Sequence, residues 1–161
     1  MKTGIYLYSR SGTTWQIADV LRGELEKADQ ECRIIRLQPA RERFILLELM
    51  RALRGKGTDI ELLPADVNEL DQIIIGTPTW GGKPTPAINS FFSQVRNLSR
   101  VPRIVLYCTY TMGGDHRVLK KMRSNLPEGN YNLILTKSFC TGKGTDYLEE
   151  TRGFARDLVK L

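Results

Sequence analysis

Residues 72 to 76 read Gln-Ile-Ile-Ile-Gly, and three consecutive isoleucines leave no alternation between apolar and polar positions. Successive side chains of a strand point to opposite faces. A strand built from this run must therefore be covered on both faces, which is the situation of a parallel sheet between two layers of helices. The rest of the chain supplies the other parts. Gly4-Ile5-Tyr6-Leu7-Tyr8, Cys32-Arg33-Ile34-Ile35-Arg36-Leu37, Arg103-Ile104-Val105-Leu106-Tyr107-Cys108 and Tyr131 to Phe139 are further short strand-like runs. Between them apolar residues recur at helical spacing: Ile17, Leu21, Leu25 and Ala28; Ile88, Phe91, Phe92 and Val95 behind Pro84 and Pro86; Val118, Leu119, Met122 and Leu126. In a last helix Tyr147, Leu148, Thr151, Phe154, Ala155 and Leu158 share one side. Its first turn is acidic, with Asp146, Glu149 and Glu150, and Arg156 and Lys160 lie near its end, as the helix dipole favours.

Five strands alternating with helices predict an α/β fold: an open, doubly wound, five-stranded parallel sheet with right-handed crossovers, forming one domain over 1-161. Ligands of such sheets bind beyond the carboxyl ends of the strands, where strand order reverses. The loops after strands one, three and four are thus the places to look. Strands two and three are joined by an extended crossover, 38-71. Within it Phe44 to Arg54 is helix-forming, with Arg41, Arg43, Arg51, Arg54 and Lys56 around an apolar body and Gly55-Lys56-Gly57 as a stop. The plain reading is a crossover helix packed on the sheet with its cations solvated. A basic amphipathic helix that rests on an anionic membrane, covers a ligand or receives an acidic partner is the alternative.

The loop after strand one, Ser9-Arg10-Ser11-Gly12-Thr13-Thr14, runs directly into a helix. A helix N-terminus offers unpaired N–H groups and a partial positive charge, Gly12 permits close backbone approach, and four hydroxyls surround it. That combination is a phosphate cradle; its plain alternative is Ser11 or Thr13 capping a helix. The pattern is neither Gly-x-x-x-x-Gly-Lys-Ser/Thr nor Gly-x-Gly-x-x-Gly, which disfavours a P-loop nucleotidase and an ordinary dinucleotide fold. After strand three, Thr77-Pro78-Thr79-Trp80-Gly81-Gly82-Lys83-Pro84 sets two glycines beside a tryptophan, which suits a loop laid against a planar ligand. After strand four, Thr109-Tyr110-Thr111-Met112-Gly113-Gly114 repeats the order polar, aromatic, glycine. Each of these alone also reads as a turn with a half-buried aromatic.

These three loops, in this order, resemble those of the flavodoxin family, including its quinone-reductase-like branch. Tyr8 to Thr14 is similar to the family's hydroxyl-rich phosphate loop, Thr79-Trp80-Gly81 to its second flavin loop, Gly82-Lys83-Pro84 to the ending of that loop in the reductase-like branch, and Thr109 to Gly114 to its third flavin loop. The resemblance implies a flavodoxin-like sheet of strand order 2-1-3-4-5 and flavin mononucleotide (FMN) as cofactor. By that implication Ser9, Ser11, Gly12, Thr13 and Thr14 hold the phosphate. Pro78, Thr79, Trp80, Gly81, Gly82 and Lys83 meet the ring and ribityl, and Thr109, Tyr110, Thr111, Gly113 and Gly114 close over the ring. Arg10 departs from the mostly uncharged loop of many flavodoxins; it either adds a charge to the phosphate or points outward.

Composition removes several other classes. Cys32, Cys108 and Cys140 are odd in number and far apart, so they suggest buried free thiols rather than disulfides or metal ligands. A single histidine, His116, excludes a multi-histidine metal site. No apolar run approaches the roughly 20 residues needed to span a bilayer, and the chain starts without a signal-peptide layout, so a cytoplasmic location is expected. The net charge of +6 comes without a basic run, zinc-finger spacing or RNA-binding signature, which argues against nucleic acid. Soluble flavodoxin carriers are usually acidic; positive potential here favours the anionic reduced flavin and predicts a less negative reduction potential.

The leading functional reading is electron transfer through bound FMN, as a carrier between redox proteins. The second is an NAD(P)H-dependent reductase of a quinone or similar small acceptor, in which Tyr110 and His116 could hydrogen-bond the acceptor. The third is a binding module that has kept the fold and lost the flavin. Oligomeric state is left open.

Overall fold

The computed structural model describes residues 1–38 and 67–161. Its strands are β1 (Lys2–Leu7), β2 (Glu31–Arg36), β3 (Gln72–Pro78), β4 (Arg103–Tyr110) and β5 (Leu133–Cys140). They form one parallel sheet in the order β2-β1-β3-β4-β5, as expected. The α-helices among the described residues are α1 (Thr13–Lys27), α2 (Pro86–Gln94), α3 (Asp115–Ser124) and α4 (Tyr147–Lys160).

The isoleucine run does what its lack of alternation requires. Ile73 and Ile75 join Tyr6, Ile104 and Leu106 beneath α2 and α3, where Phe91, Val118 and Met122 complete the layer. Ile74 faces the other way with Ile5, Leu7, Val105 and Tyr107, against Ile17, Leu21 and Leu25 of α1 and Ala155 and Leu158 of α4. Each such side chain contributes about 1.5–3 kcal/mol through burial. The two-layer cover thus follows from three adjacent residues. Pro86 stands at the first position of α2, and the Asp146 carboxylate caps α4 by accepting the Glu149 N–H at 3.0 Å.

Several boundaries differ from the sequence expectation. Ala28, Val95 and Leu126 lie just beyond the ends of α1, α2 and α3. β5 begins at Leu133 rather than Tyr131, because the Asn132 and Leu133 amides both turn to the Pro102 carbonyl and pairing starts there. Thr109 and Tyr110 belong to β4: the Thr79 amide donates to the Thr109 carbonyl and the Thr141 amide to that of Tyr110, so the ladder continues on both sides. The expectation of buried thiols holds for Cys32 and Cys108; Cys140, at the end of edge strand β5, is half-buried. The expected basic helix from Phe44 to Arg54 lies outside the described residues.

Candidate functional site

The order β2-β1-β3 means that the chain leaves β1 toward one edge and returns to β3 on its other side, so the crevice above β1 and β3 is the switch point of the sheet. The loop after β1 sits there. Gly12, with φ 90°, turns the chain into α1 in a left-handed conformation that costs any other L-residue about 1–2 kcal/mol. Gly12 has no side chain with which to cap, and the buried Ser9 takes over: its hydroxyl accepts the Trp15 N–H at 3.3 Å. The Ser9 carbonyl accepts from the Arg36 guanidinium, which brings a cation from the end of β2 under the loop. Among the described residues, no protein acceptor meets the N–H groups of Ser11, Gly12, Thr13 or Thr14, whereas the Gln16 amide closes the first turn on the Gly12 carbonyl at 2.9 Å. Those amides, with the Ser11 and Thr13 hydroxyls 3.3 Å apart at the surface, form an anion-receptive concavity.

The second loop is a tight hairpin. Trp80 and Lys83 exchange backbone hydrogen bonds of 3.1 Å in both directions, and Gly81 and Gly82 between them have φ of 58° and 73°, the requirement of a two-residue turn of the primed kind. At its base the Thr77 hydroxyl accepts the Thr85 amide and donates to the Pro78 carbonyl. The Trp80 ring packs edge-on against Tyr8, with centroids 5.7 Å apart, which ties this hairpin to the first loop.

The third loop leaves β4 through Thr109 and Tyr110, exposes Thr111, Met112 and Gly113, and enters α3 at Gly114. A Cβ on Gly114 would stand 3.1 Å from Gly82 Cα, so the second and third loops touch through two glycines. The buried Thr109 hydroxyl hydrogen-bonds that of Thr14 at 3.0 Å, which joins the third loop to the first turn of α1. Below them the Tyr107 hydroxyl donates to the Thr14 carbonyl at 2.9 Å. The Tyr107 ring lies across Gly76, its β3 register partner, where a Cβ would come within 2.1 Å of Cζ.

Charge around these loops is predominantly positive. Arg36 lies under the first loop and Arg117, on α3, packs against Gly82. Burial pushes the Cys108 thiol up to about 12, with the Thr79 hydroxyl beside it pulling the other way. Desolvation, then Cys140 and Asp115, hold the Tyr110 phenol above its ordinary value. At the open end of the sheet Tyr110 and Cys140 are thus neighbours.

The sequence matches the family model for NADPH-dependent FMN reductase over residues 8–146, a span that starts just before the first loop and ends at the α4 cap. The chain belongs to this family. Membership places it among FMN-binding electron-transfer proteins of flavodoxin-like fold. Solved structures agree on the fold. A flavoprotein of Lactobacillus acidophilus NCFM, crystallised in complex with FMN, is 22% identical with a TM-score of 0.66, covering 84% of this chain and 92% of its own. A protein from Bacteroides uniformis ATCC 8492 described as a flavoprotein is 17% identical with a TM-score of 0.69, covering 99% and 98%. A flavodoxin from the domain Archaea gives 16% and 0.61, covering 99% and 97%. No curated protein matches the sequence.

In this FMN reductase family member the three loops that the sequence singled out meet one another through Tyr8–Trp80, Thr14–Thr109 and Gly82–Gly114. Two of their residues carry structural duties as well: the Thr14 hydroxyl is engaged by Thr109, and Ser9 caps α1. Arg10 is exposed at the tip of the first loop. His116 is exposed near the start of α3. Arg36, Tyr107 and Arg117 were not singled out from sequence. Nothing local marks them, because each reaches the site across the sheet or from a neighbouring helix.

Proposed function

We propose that the protein binds FMN in the crevice above β1 and β3 and passes electrons through it to and from a redox partner. The observation that carries this reading is the α1 N-terminus, whose amides at Ser11 to Thr14 have no acceptor among the described residues, with two further loops anchored on it through Thr14–Thr109 and Gly82–Gly114. These residues fit the group. The amides, the Ser11 and Thr13 hydroxyls and the charge of Arg36 suit a phosphate, and the buried Ser9 hydroxyl supports them by capping α1. Thr14 serves that cradle mainly by fixing its backbone. Pro78 to Lys83, with the Trp80 ring held by Tyr8, offer an aromatic wall for a planar ring system. Thr109, Tyr110, Thr111, Gly113 and Gly114, on the loop that touches the second at Gly82, would close over the ring. When bound, FMN supplies the redox chemistry; the side chains bind it, orient it and set the local charge.

A second reading, favoured by the family match, has NADPH as the direct electron donor and a quinone or similar small molecule as acceptor. Both readings assume a cytoplasmic setting and require neither nucleic acid nor a membrane. The test is to load the purified protein with FMN and mix it anaerobically with NADPH or NADH while recording visible absorbance. Flavin that stays oxidised until a separate reductase is added supports the carrier, and rapid bleaching supports the reductase. Failure to bind FMN refutes both.

A further inference from the structure

The cations of this protein are not all placed alike. On α1, Arg22 pairs with Asp19 and Lys27 with Glu24; on α4, Arg152 and Arg156 share Glu149, and Lys160 meets Asp157. On α3, Arg117, Lys120, Lys121 and Arg123 are exposed, and among the described residues none has a carboxylate at ion-pairing distance. With His116 they fall within about 160° of the helix circumference, counted at about 100° per residue. Arg117–Lys121 and Lys120–Arg123 are like-charge neighbours at spacings that destabilise an isolated helix. Val118 and Met122 fill the opposite, buried face. A merely solvated face would be interspersed with carboxylates as α1 and α4 are.

The strip begins at the candidate flavin site, since Arg117 packs on Gly82 of the second loop. Immediately before it stands Met112, 98% exposed, an apolar side chain at the tip of the third loop. An exposed apolar tip rimmed by cations that have no carboxylate partner among the described residues has the anatomy of a docking surface, and the strip, about 10 Å long from His116 to Arg123 at 1.5 Å per residue, exceeds what one small anion would cover. We propose that α3 and Met112 form the docking surface for an acidic electron-transfer protein, seated so that its redox centre meets the flavin edge between the second and third loops. This rests on the FMN reading above. Long-range attraction would steer the acidic partner onto the strip and the like charge of the strip would exclude basic partners. The partner would be the one-electron oxidant: two oxidised partner molecules would each take one electron from the reduced flavin, when bound, which would return to its oxidised form with release of its protons.

The test uses the full-length protein loaded with FMN and two haem proteins of opposite charge, acidic cytochrome b5 and basic cytochrome c. Binding is read by chemical-shift titration of the 15N-labelled protein, and electron transfer by haem absorbance after anaerobic reduction of the flavin. Expected are saturable shifts at α3 and Met112 with cytochrome b5 and none with cytochrome c. Raising salt from about 0.02 M to about 0.3 M, which shortens the screening length roughly fourfold, should weaken binding at least tenfold. So should the triple substitution Lys120→Glu, Lys121→Glu, Arg123→Glu, and the neutral triple Lys120→Gln, Lys121→Gln, Arg123→Gln by a smaller factor, with FMN absorbance and circular dichroism unchanged in both. Arg152→Glu with Arg156→Glu on α4 should leave binding as it was. The proposal is overturned by no saturable response to cytochrome b5, by equal binding of cytochrome c, by indifference to the α3 substitutions, or by binding to anionic vesicles in place of the acidic protein. Failure of the FMN reading would show separately, as a colourless protein that ignores added FMN.

Discussion

Replacing Gly76 by alanine should destabilise the protein by about 2–3 kcal/mol, and replacing Tyr107 as well should reverse the sign of that effect. An alanine in a strand is ordinarily better than glycine by about 0.5–1 kcal/mol, because glycine loses more backbone freedom on folding. At Gly76 the added Cβ would meet Tyr107 Cζ, Cε1 and Oη at 2.1, 2.3 and 2.4 Å. Tyr107 is fully buried, with Phe139 packed on its ring, and cannot swing into solvent. Forced repacking of a full core costs about 1–3 kcal/mol. Displacing the ring also breaks the Tyr107–Thr14 hydrogen bond, worth about 0.5–1.5 kcal/mol. Tyr107→Leu removes all three clashing atoms. In that background Gly76→Ala should become neutral or slightly stabilising, a coupling near 3 kcal/mol between the two sites. The measurement is urea unfolding of the flavin-free protein, read as the shift in midpoint at constant slope, so that ligand linkage does not enter. An equal cost of Gly76→Ala in both backgrounds would refute the reasoning that Gly76 exists to admit the Tyr107 ring.

Further outcomes follow from the same geometry. Tyr107→Phe should lower stability by about 1 kcal/mol and weaken FMN binding several-fold, since it releases the Thr14 carbonyl at the first turn of α1; titration of the apoprotein by flavin fluorescence checks the second effect. Gly12→Ala, strained at φ 90° and intruding on the cradle, should weaken FMN binding at least tenfold in the same titration. Burial pushes the Cys32 and Cys108 thiols up to about 12, so the folded state holds protons that the unfolded chain releases above pH 9. Their contribution is complete below pH 9 and lost toward pH 12, at up to about 1.4 kcal/mol per pH unit for each thiol. Denaturation of Cys32→Ala, Cys108→Ala between pH 9 and 11 should therefore fall less steeply than that of the parent; parallel curves would refute it. Reductive titration should give a hydroquinone couple less negative than in acidic flavodoxins, and more negative in Arg117→Gln than in the parent.

How much could be read in advance depended on whether a feature is local. Ile73-Ile74-Ile75 announced a strand buried on both faces because alternation is a property of adjacent residues, and β1 to β5 followed in the expected order. The three loops were legible for the same reason: each is a contiguous run at a strand's carboxyl end. Boundaries were less so. Thr109 and Tyr110 read as loop because a polar residue after an apolar run looks like an ending, yet both have partners in the ladder on either side. Arg36 was read only as part of a strand. Its role depends on β2 lying beside β1, where the Leu7–Arg36 register sets the guanidinium under Ser9, and no spacing in the sequence encodes that adjacency.

The same distinction explains why the hydroxyl-rich first loop cannot be scored by counting hydroxyls. Ser9, Ser11, Thr13 and Thr14 look equivalent in sequence, but the fold divides them. Ser11 and Thr13 stand at the surface with their hydroxyls 3.3 Å apart, Ser9 is turned inward to cap α1, and Thr14 is buried against Thr109. Removing the Thr14 hydroxyl would leave Thr109 without its buried partner and loosen the link between the first and third loops, whereas removing that of Ser11 would take away one surface donor and nothing else. Thr14→Val should therefore lower the stability of the flavin-free protein by about 1–3 kcal/mol, and Ser11→Ala should leave it unchanged while weakening FMN binding. If Ser11→Ala and Thr14→Val instead weakened FMN binding equally and left apoprotein stability untouched, both hydroxyls would be simple phosphate ligands and the anchoring role of Thr14 would fall.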